Sequence, residues 1–424
     1  MQPDLIIANA RQLVTCRSGD GPKRGAAMRD VGIVEDGAVA IRGGTIIEVG
    51  TTHDLLARFP ETPTVDADGK VVCPGFVDSH THIVFAGDRF EEFEKKIAGA
   101  DYLEILHAGG GILSTVRNTR EATEAELIEQ TLRRLEKMLQ AGTTTAEIKT
   151  GYGLNSETEL KMLAVIDVVA ARQPIGIVPT FLAAHAVPPE FKDDPDAYVE
   201  LICGEMLGPA WEWYRQSRFC GHTPFFVDVF CERGAFSLEQ SRRVLAAAKE
   251  FGFAIKAHVD EFTNLGGSAA AVGMNAISID HLDAISDEEI GQLAGSDTVA
   301  VVTPAVNFNL GSAHFADARK IIDAGAAVAV ATDYNPGSAP CPSMSMAMAI
   351  ACRYQKLLPS EAFNASTINA AHAVGLGART GSIEVGKQAD LLILDTRDYR
   401  EAAYEFGGSL VSEVFRSGVS VFSK

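Results

Sequence analysis

The chain has 424 residues, 46% hydrophobic and 22% charged, and its 37 Lys and Arg against 56 Asp and Glu leave a net charge of −19. These are globular proportions, and the negative balance argues against nucleic-acid backbones and anionic membrane surfaces as partners. No apolar run approaches the ~18 residues of a membrane helix, and the first residues lack the basic start and apolar stretch of a secretory signal. The seven cysteines (16, 73, 203, 220, 231, 341 and 352) are scattered without CxxC spacing, which predicts reduced thiols in packing roles and a cytoplasmic setting.

In chain order, residues 1–68 hold short β-type runs, Leu5-Ile6-Ile7, Ala38-Val39-Ala40-Ile41 and Thr45-Ile46-Ile47, punctuated by Gly37, Gly43, Gly44 and Gly50, which suit tight turns. From 69 to 379 strand-like and helix-like segments alternate. Strands are predicted at 71–77, 143–149, 175–181, 226–230, 254–258, 276–280, 299–303 and 327–332. Helices are predicted at 123–141, 156–172, 237–251, 286–294 and 314–324. Ser237 with Gln240 and Ser286 with Glu289 have capping-box spacing. Eight β-then-α units predict an α/β fold, a (β/α)8 barrel. A doubly wound sheet is the competitor, but no GxGxxG or P-loop follows the first strand. From about 380 the short-strand character returns in Ala389-Asp390-Leu391-Leu392-Ile393-Leu394 and Val419-Ser420-Val421-Phe422. Each terminal set is too small for its own core, so residues 1–68 and 380–424 are expected to form one composite β-domain beside a catalytic barrel of 69–379.

Barrel chemistry gathers where strands finish. Strand one ends in Asp78-Ser79-His80-Thr81-His82, and residues two apart on extended chain face one side. Strand five ends in His258, strand six in His281 and strand eight in Asp333. Imidazoles and a carboxylate from different strands suit a borderline divalent ion such as zinc or iron. Glu261 follows His258 by three residues and is placed to take a proton from water that such an ion acidifies; the alternative is a solvated loop charge, like Asp260. His185, after Ala183-Ala184, lies at the catalytic rim. His53, His107, His222, His314 and His372 are read as solvent-exposed or core-satisfied. Cys231 and Glu232 end strand four without a lysine to bridge a second metal, so one ion is expected.

On these residues the chain resembles the amidohydrolase superfamily and, within it, the imidazolonepropionases, which open a ring in histidine degradation. The resemblance runs over nearly the whole chain: Pro74-Gly75-Phe76-Val77-Asp78-Ser79-His80-Thr81-His82, Gly109-Gly110-Gly111-Ile112, Ile148-Lys149-Thr150-Gly151-Tyr152-Gly153, Ala183-Ala184-His185, His258-Val259-Asp260-Glu261, Asn264-Leu265-Gly266-Gly267 and Ala331-Thr332-Asp333-Tyr334-Asn335-Pro336-Gly337-Ser338. It implies His80, His82, His258 and Asp333 as metal ligands, and Arg89, Tyr152 and His185 as substrate contacts. Glu261 and His281 would assist the water, and Asn335, Gly337 and Ser338 would line the pocket. The implied reaction is metal-dependent hydrolysis of the cyclic amide of 4-imidazolone-5-propanoate to N-formimidoyl-L-glutamate. Arg89 is apt for a propionate carboxylate because a guanidinium offers paired donors; its alternative is an ion pair with Glu91 or Glu92. One segment departs from the family pattern: a Pro-Gly-x-x-Phe-Tyr type of sequence is expected between strands seven and eight, and Pro304-Ala305-Val306-Asn307-Phe308-Asn309 stands there. Two rival readings are an aromatic-base deaminase, which uses the same ligands but has no need of Arg89, and a non-catalytic barrel scaffold. The partner expected is a small-molecule substrate, with a homodimer as the expected assembly.

Overall fold

Period-2 alternation at the two chain ends builds one mixed sheet. In the computed structural model, which describes residues 2–99 and 110–424, β1 (Leu5–Val14), β2 (Ile33–Arg42) and β3 (Thr45–Thr51) form an antiparallel set, while β4 (Thr64–Asp66) and β5 (Val71–Pro74) run parallel to β1. His107 and Gly109 of the sequence motifs lie outside the described residues. The strand expected over 71–77 is two strands. The chain leaves the terminal sheet after β5 and enters the barrel as β6 (Phe76–Asp78). The switch falls at Gly75, where a Cβ would collide with the Thr144 side chain, so the position takes glycine.

The barrel continues through β7 (Thr143–Lys149), β8 (Gly176–Ala184), β9 (Phe226–Cys231), β10 (Ala254–Val259), β11 (Ser278–His281), β12 (Val299–Val302) and β13 (Val328–Val330). All pair in parallel and in sequence order. The two edge strands meet beyond their ends, where Thr81 bridges to Tyr334 and the His82 N–H donates to the Tyr334 carbonyl at 3.0 Å. Every residue of β7 is buried, as in sheets covered on both faces. Helices cover the outside, among them Glu124–Gln140, Ser156–Arg172, Leu238–Phe251 and Asp287–Ala294. The Ser237–Gln240 and Ser286–Glu289 capping boxes are both formed, and Thr123 with Glu126 makes a third. The helix expected over 314–324 is only Ala318–Asp323, because Asn307 and Ser312 hold the His314 carbonyl in a turn and the Asp317 side chain caps the helix later.

The chain then returns to the terminal sheet as β14 (Leu391–Leu394), β15 (Val411–Arg416) and β16 (Val419–Ser423). β14 pairs antiparallel with β5, Ile393 opposite Val72, so the two chain ends share one sheet through β5. Among the described residues no helix is long and apolar enough to cross a membrane. All seven cysteines are unpaired.

Candidate active site

The C-terminal strand ends meet at one mouth. His80 and His82 follow β6, His258 lies in β10, His281 ends β11 and Asp333 follows β13. His82 Nε2 lies 3.1 Å from His80 Nε2 and 3.3 Å from His258 Nε2. Asp333 Oδ1 stands 3.4 Å from His82 Nε2 and 3.6 Å from His80 Nε2. The backbone leaves the strands in the left-handed region at His281 (φ 84°) and Asp333 (φ 50°), conformations that non-glycine residues seldom adopt without surroundings that hold them.

Carboxylates behind the rings fix their direction. His80 Nδ1 is 2.6 Å from Asp280 Oδ2, and His258 Nδ1 is 3.0 Å from Asp228 Oδ2. At His80 the hydrogen-bonded carboxylate keeps the proton on Nδ1 and leaves the Nε2 lone pair facing the mouth. At His258 the Asp228 carboxylate lies within ion-pair distance of Nδ1 without the alignment of a hydrogen bond. Burial, with Lys149 adding to it, holds His80 well below the ordinary histidine range, and burial with His185 does the same for His82. Neutral rings bring converging lone pairs to one point without protons to share between them, which is the arrangement a cation satisfies. The three imidazoles and one carboxylate are donors of the kind a borderline divalent ion takes. The residues therefore fit the metal that the amidohydrolase resemblance implies, and His80, His281 and Asp333 form a second, overlapping donor group.

Around this cluster stand the remaining sequence candidates. Glu261 is not a solvated loop charge. Its side chain is 12% exposed, its Oε1 is 4.0 Å from His281 Nδ1, and burial with the nearby Asp333 pushes its carboxyl well above the usual range. Asp260 is buried as well and accepts from the Ser268 hydroxyl. His281 Nδ1 also meets Thr303 Oγ1 at 3.1 Å, and its Nε2 has no hydrogen-bond partner. His185 stacks on His82 with ring centres 4.8 Å apart, and burial and His258 bring its pKa down to about 3. The buried Tyr152 ring sits 5.4 Å from that of His185, on a loop whose Gly151, Gly153 and Leu154 N–H groups donate to Glu159.

Arg89 does form the alternative ion pair, with Glu92 and not with Glu91: its Nε donates to Glu92 Oε2 at 2.7 Å and its Nη2 to Oε1. The pair is inside, with side-chain exposures of 14% and 8%. The other edge of the guanidinium reaches Gly337, where a Cβ would collide with Arg89 Nη1. Asn335 ties this loop to the cluster: its Nδ2 donates to Asp333 Oδ1 at 3.1 Å and to Ser338 Oγ at 2.8 Å, and its Oδ1 accepts from the Gly337 and Ser338 N–H groups. The divergent segment is a short helix, Pro304–Asn309, and Asn309 Nδ2 donates to the Ser338 carbonyl at 2.8 Å. The departure from the family pattern thus lies directly against the loop of Asn335, Gly337 and Ser338.

Sequence reasoning missed a group inside the barrel behind the imidazoles: Glu147, Lys149, Asp228, Lys256 and Asp280, each with 0% exposure. The signal is present as charges at alternate positions of strands, Glu147 with Lys149 and Lys256 with His258, which share a face by strand period. Glu232 reads in sequence only as a strand end; its Oε2 accepts from the Phe262 and Thr263 N–H groups and so braces the loop that carries Glu261.

A model of the amidohydrolase family matches residues 71–421, and one of an imidazolonepropionase-like composite domain from bacteria matches residues 37–61. The chain is 56% identical over 420 residues to the imidazolonepropionase of Chloroflexus aggregans, covering 99% of this chain and 98% of that one. It is 48% identical over 415 residues to the imidazolonepropionase of Herpetosiphon aurantiacus, covering 98% and 96%. Among solved structures it resembles a zinc-bound adenosine deaminase of Xanthomonas campestris, with a TM-score of 0.73 at 21% identity, covering 99% of this chain and 93% of that one. At that identity the likeness is one of fold.

Proposed function

Because the chain belongs to the imidazolonepropionase family of the amidohydrolases, we propose that it hydrolyses the cyclic amide of 4-imidazolone-5-propanoate to N-formimidoyl-L-glutamate. The observation that carries this reading is the Arg89 guanidinium against Gly337, at the same mouth as the His80, His82, His258 and Asp333 donors. His80, His82, His258 and Asp333 would hold one divalent ion, zinc or iron. Such an ion supplies Lewis acidity toward the ring carbonyl and acidifies water.

The chain's own residues do the rest. Arg89 takes the propionate carboxylate through Nη1, the nitrogen beside Gly337 that Glu92 does not engage, and Tyr152 and His185 flank the ring. Glu261, whose carboxyl burial has raised, takes a proton from the attacking water, and Asp333 shares it. The water oxygen bonds to the carbonyl carbon, the ring C–N bond breaks, and Glu261 returns the proton to the departing nitrogen. His281, neutral and with a free Nε2, donates or accepts beside it. Asn335, Gly337 and Ser338 shape the wall against the substrate.

The test is incubation of the purified protein with 4-imidazolone-5-propanoate, guanine and adenosine in parallel, measuring N-formimidoyl-glutamate and ammonia. Ring opening of the first without ammonia release supports the reading. Ammonia release from guanine or adenosine, with the imidazolone untouched, would replace it with the deaminase.

A further inference from the structure

The ion cluster inside the barrel has no part in the reaction just described, yet two of its carboxylates touch proposed ligands. Lys149 Nζ donates to Asp228 Oδ2 at 2.7 Å and to Glu147 Oε1 at 2.8 Å, and lies 3.8 Å from Asp280 Oδ2. Asp228 Oδ2 is in turn 3.0 Å from His258 Nδ1, and its Oδ1 accepts from the His258 N–H at 3.1 Å. Asp280 Oδ2 is 2.6 Å from His80 Nδ1, with its other oxygen held by the Ser278 hydroxyl. Lys256 closes the cluster from the other side, donating to the Ser79 carbonyl at 2.7 Å and standing 3.2 Å from Glu147 and 3.5 Å from Asp280.

We propose that Lys149 is a positioning residue for the metal cradle: its ammonium, hydrogen-bonded to Asp228 Oδ2, holds that carboxylate where it stands 3.0 Å from the His258 ring. The Lys149 ammonium donates to two carboxylates, Asp228 and Glu147, with Asp280 3.8 Å away. Asp228 Oδ1 is held by the Val229 and His258 N–H groups at 2.7 and 3.1 Å, so what removing Lys149 takes away is the hydrogen bond at Oδ2, the oxygen beside His258 Nδ1. The inference rests on the ligand set proposed above. It concerns how one of those ligands is aimed, not whether it binds. A role through charge alone has the opposite sign, because removing a cation from behind the cradle favours a bound cation.

The test uses the metal-stripped full chain and zinc, with affinity read by competition against a chromophoric chelator and folding read by a thermal melt. Lys149→Met combined with Glu147→Gln removes one charge of each sign, touches neither Asp228 nor Asp280, and keeps the cluster's net charge. The expected result is zinc binding weakened about 10-fold in folded protein, the lower end of the ~10- to 100-fold loss on removing a group bonded directly to a ligand, because Lys149 stands one contact further out. A lowered melting temperature with unchanged zinc affinity would make Lys149 a stabilising core charge only and overturn the proposal. His258→Ala is run beside it: if that variant also keeps full zinc affinity, the ligand set fails and not merely the positioning. Should the first pair not fold, Lys149→Met is added to Asp228→Asn, again without change of net charge. Lys149 acting through Asp228 predicts a double loss close to that of Asp228→Asn alone, and fully additive losses contradict it.

Discussion

In the terminal sheet both faces of the strands are apolar: Ile7, Val39, Ile41, Val72 and Leu391 pack on one side, and Ile6, Ala8, Ala38, Ala40 and Leu55 on the other. In the barrel the inward face carries an apolar layer, with Val178, Phe226, Val299 and Val301, and beside it the charged layer of Glu147, Lys149, Asp228, Lys256, His258 and Asp280. Burying charge is unfavourable unless each group is paired and hydrogen-bonded, so this second layer is held by specific partners where the sheet is held by area. The barrel also shares a large apolar core with its helices, so substitutions should separate its charged layer and mouth, not the whole barrel, from the terminal sheet.

The sharpest separation is expected at the proposed ligands. His258→Ala and Asp333→Ala should each give folded protein with little metal and with activity down by more than the ~10⁴ that a single proton-transfer group supplies. Metal analysis and turnover on the same sample check it, and full occupancy with full turnover in both variants would remove the cluster from the mechanism. Next is Glu261→Gln, which keeps shape but loses the basic oxygen. Its kcat should fall by about 10²–10⁴ with metal retained; near-normal kcat would return Glu261 to a structural role.

Arg89→Ala comes third. A charge-assisted contact contributes roughly 1.5–3 kcal/mol, so kcat/KM on the carboxylate-bearing substrate should drop about 10- to 150-fold. An analogue without the carboxylate should lose little, and equal losses on both would mean that Arg89 serves only to pair with Glu92. The smallest effect on activity belongs to the other region. Leu391→Ala opens the terminal-sheet core, where Leu391 is 0% exposed, and should cost about 2–5 kcal/mol in a denaturation curve. The kcat of the folded fraction should stay at the wild-type value, and a large loss in kcat would show that the sheet and the mouth are coupled.

Much of this division was legible before any coordinates. The eight barrel strands were readable because each is a short apolar run with a helix-length segment after it, and the strand ends carried His80, His82, His258, His281 and Asp333 in plain view. The 71–77 run concealed a change of sheet, since Val71–Pro74 and Phe76–Asp78 have the same apolar character and only the closeness of Thr144 to Gly75 marks the break. Val411–Arg416 was not anticipated as a strand: Ser412 and Glu413 interrupt its apolar pattern, and its pairing with β14 is a tertiary fact. The interior charges are hard to read from sequence because a lysine within a strand reads as solvent-facing, and only barrel closure turns Lys149 and Lys256 inward toward their partners. For Arg89 the sequence leaves a substrate and an acidic neighbour both open, and its guanidinium has one edge on Glu92 and the other toward Gly337.

Ring opening is expected to need a single divalent ion at the barrel mouth. The decisive experiment strips the protein with a chelator and adds zinc or ferrous ion back in substoichiometric steps, with ring-opening rate measured at each step. The stripped protein should show negligible rate, with a linear recovery that levels off at one equivalent. Full activity without metal, or recovery that continues to two equivalents, would overturn the single-ion site.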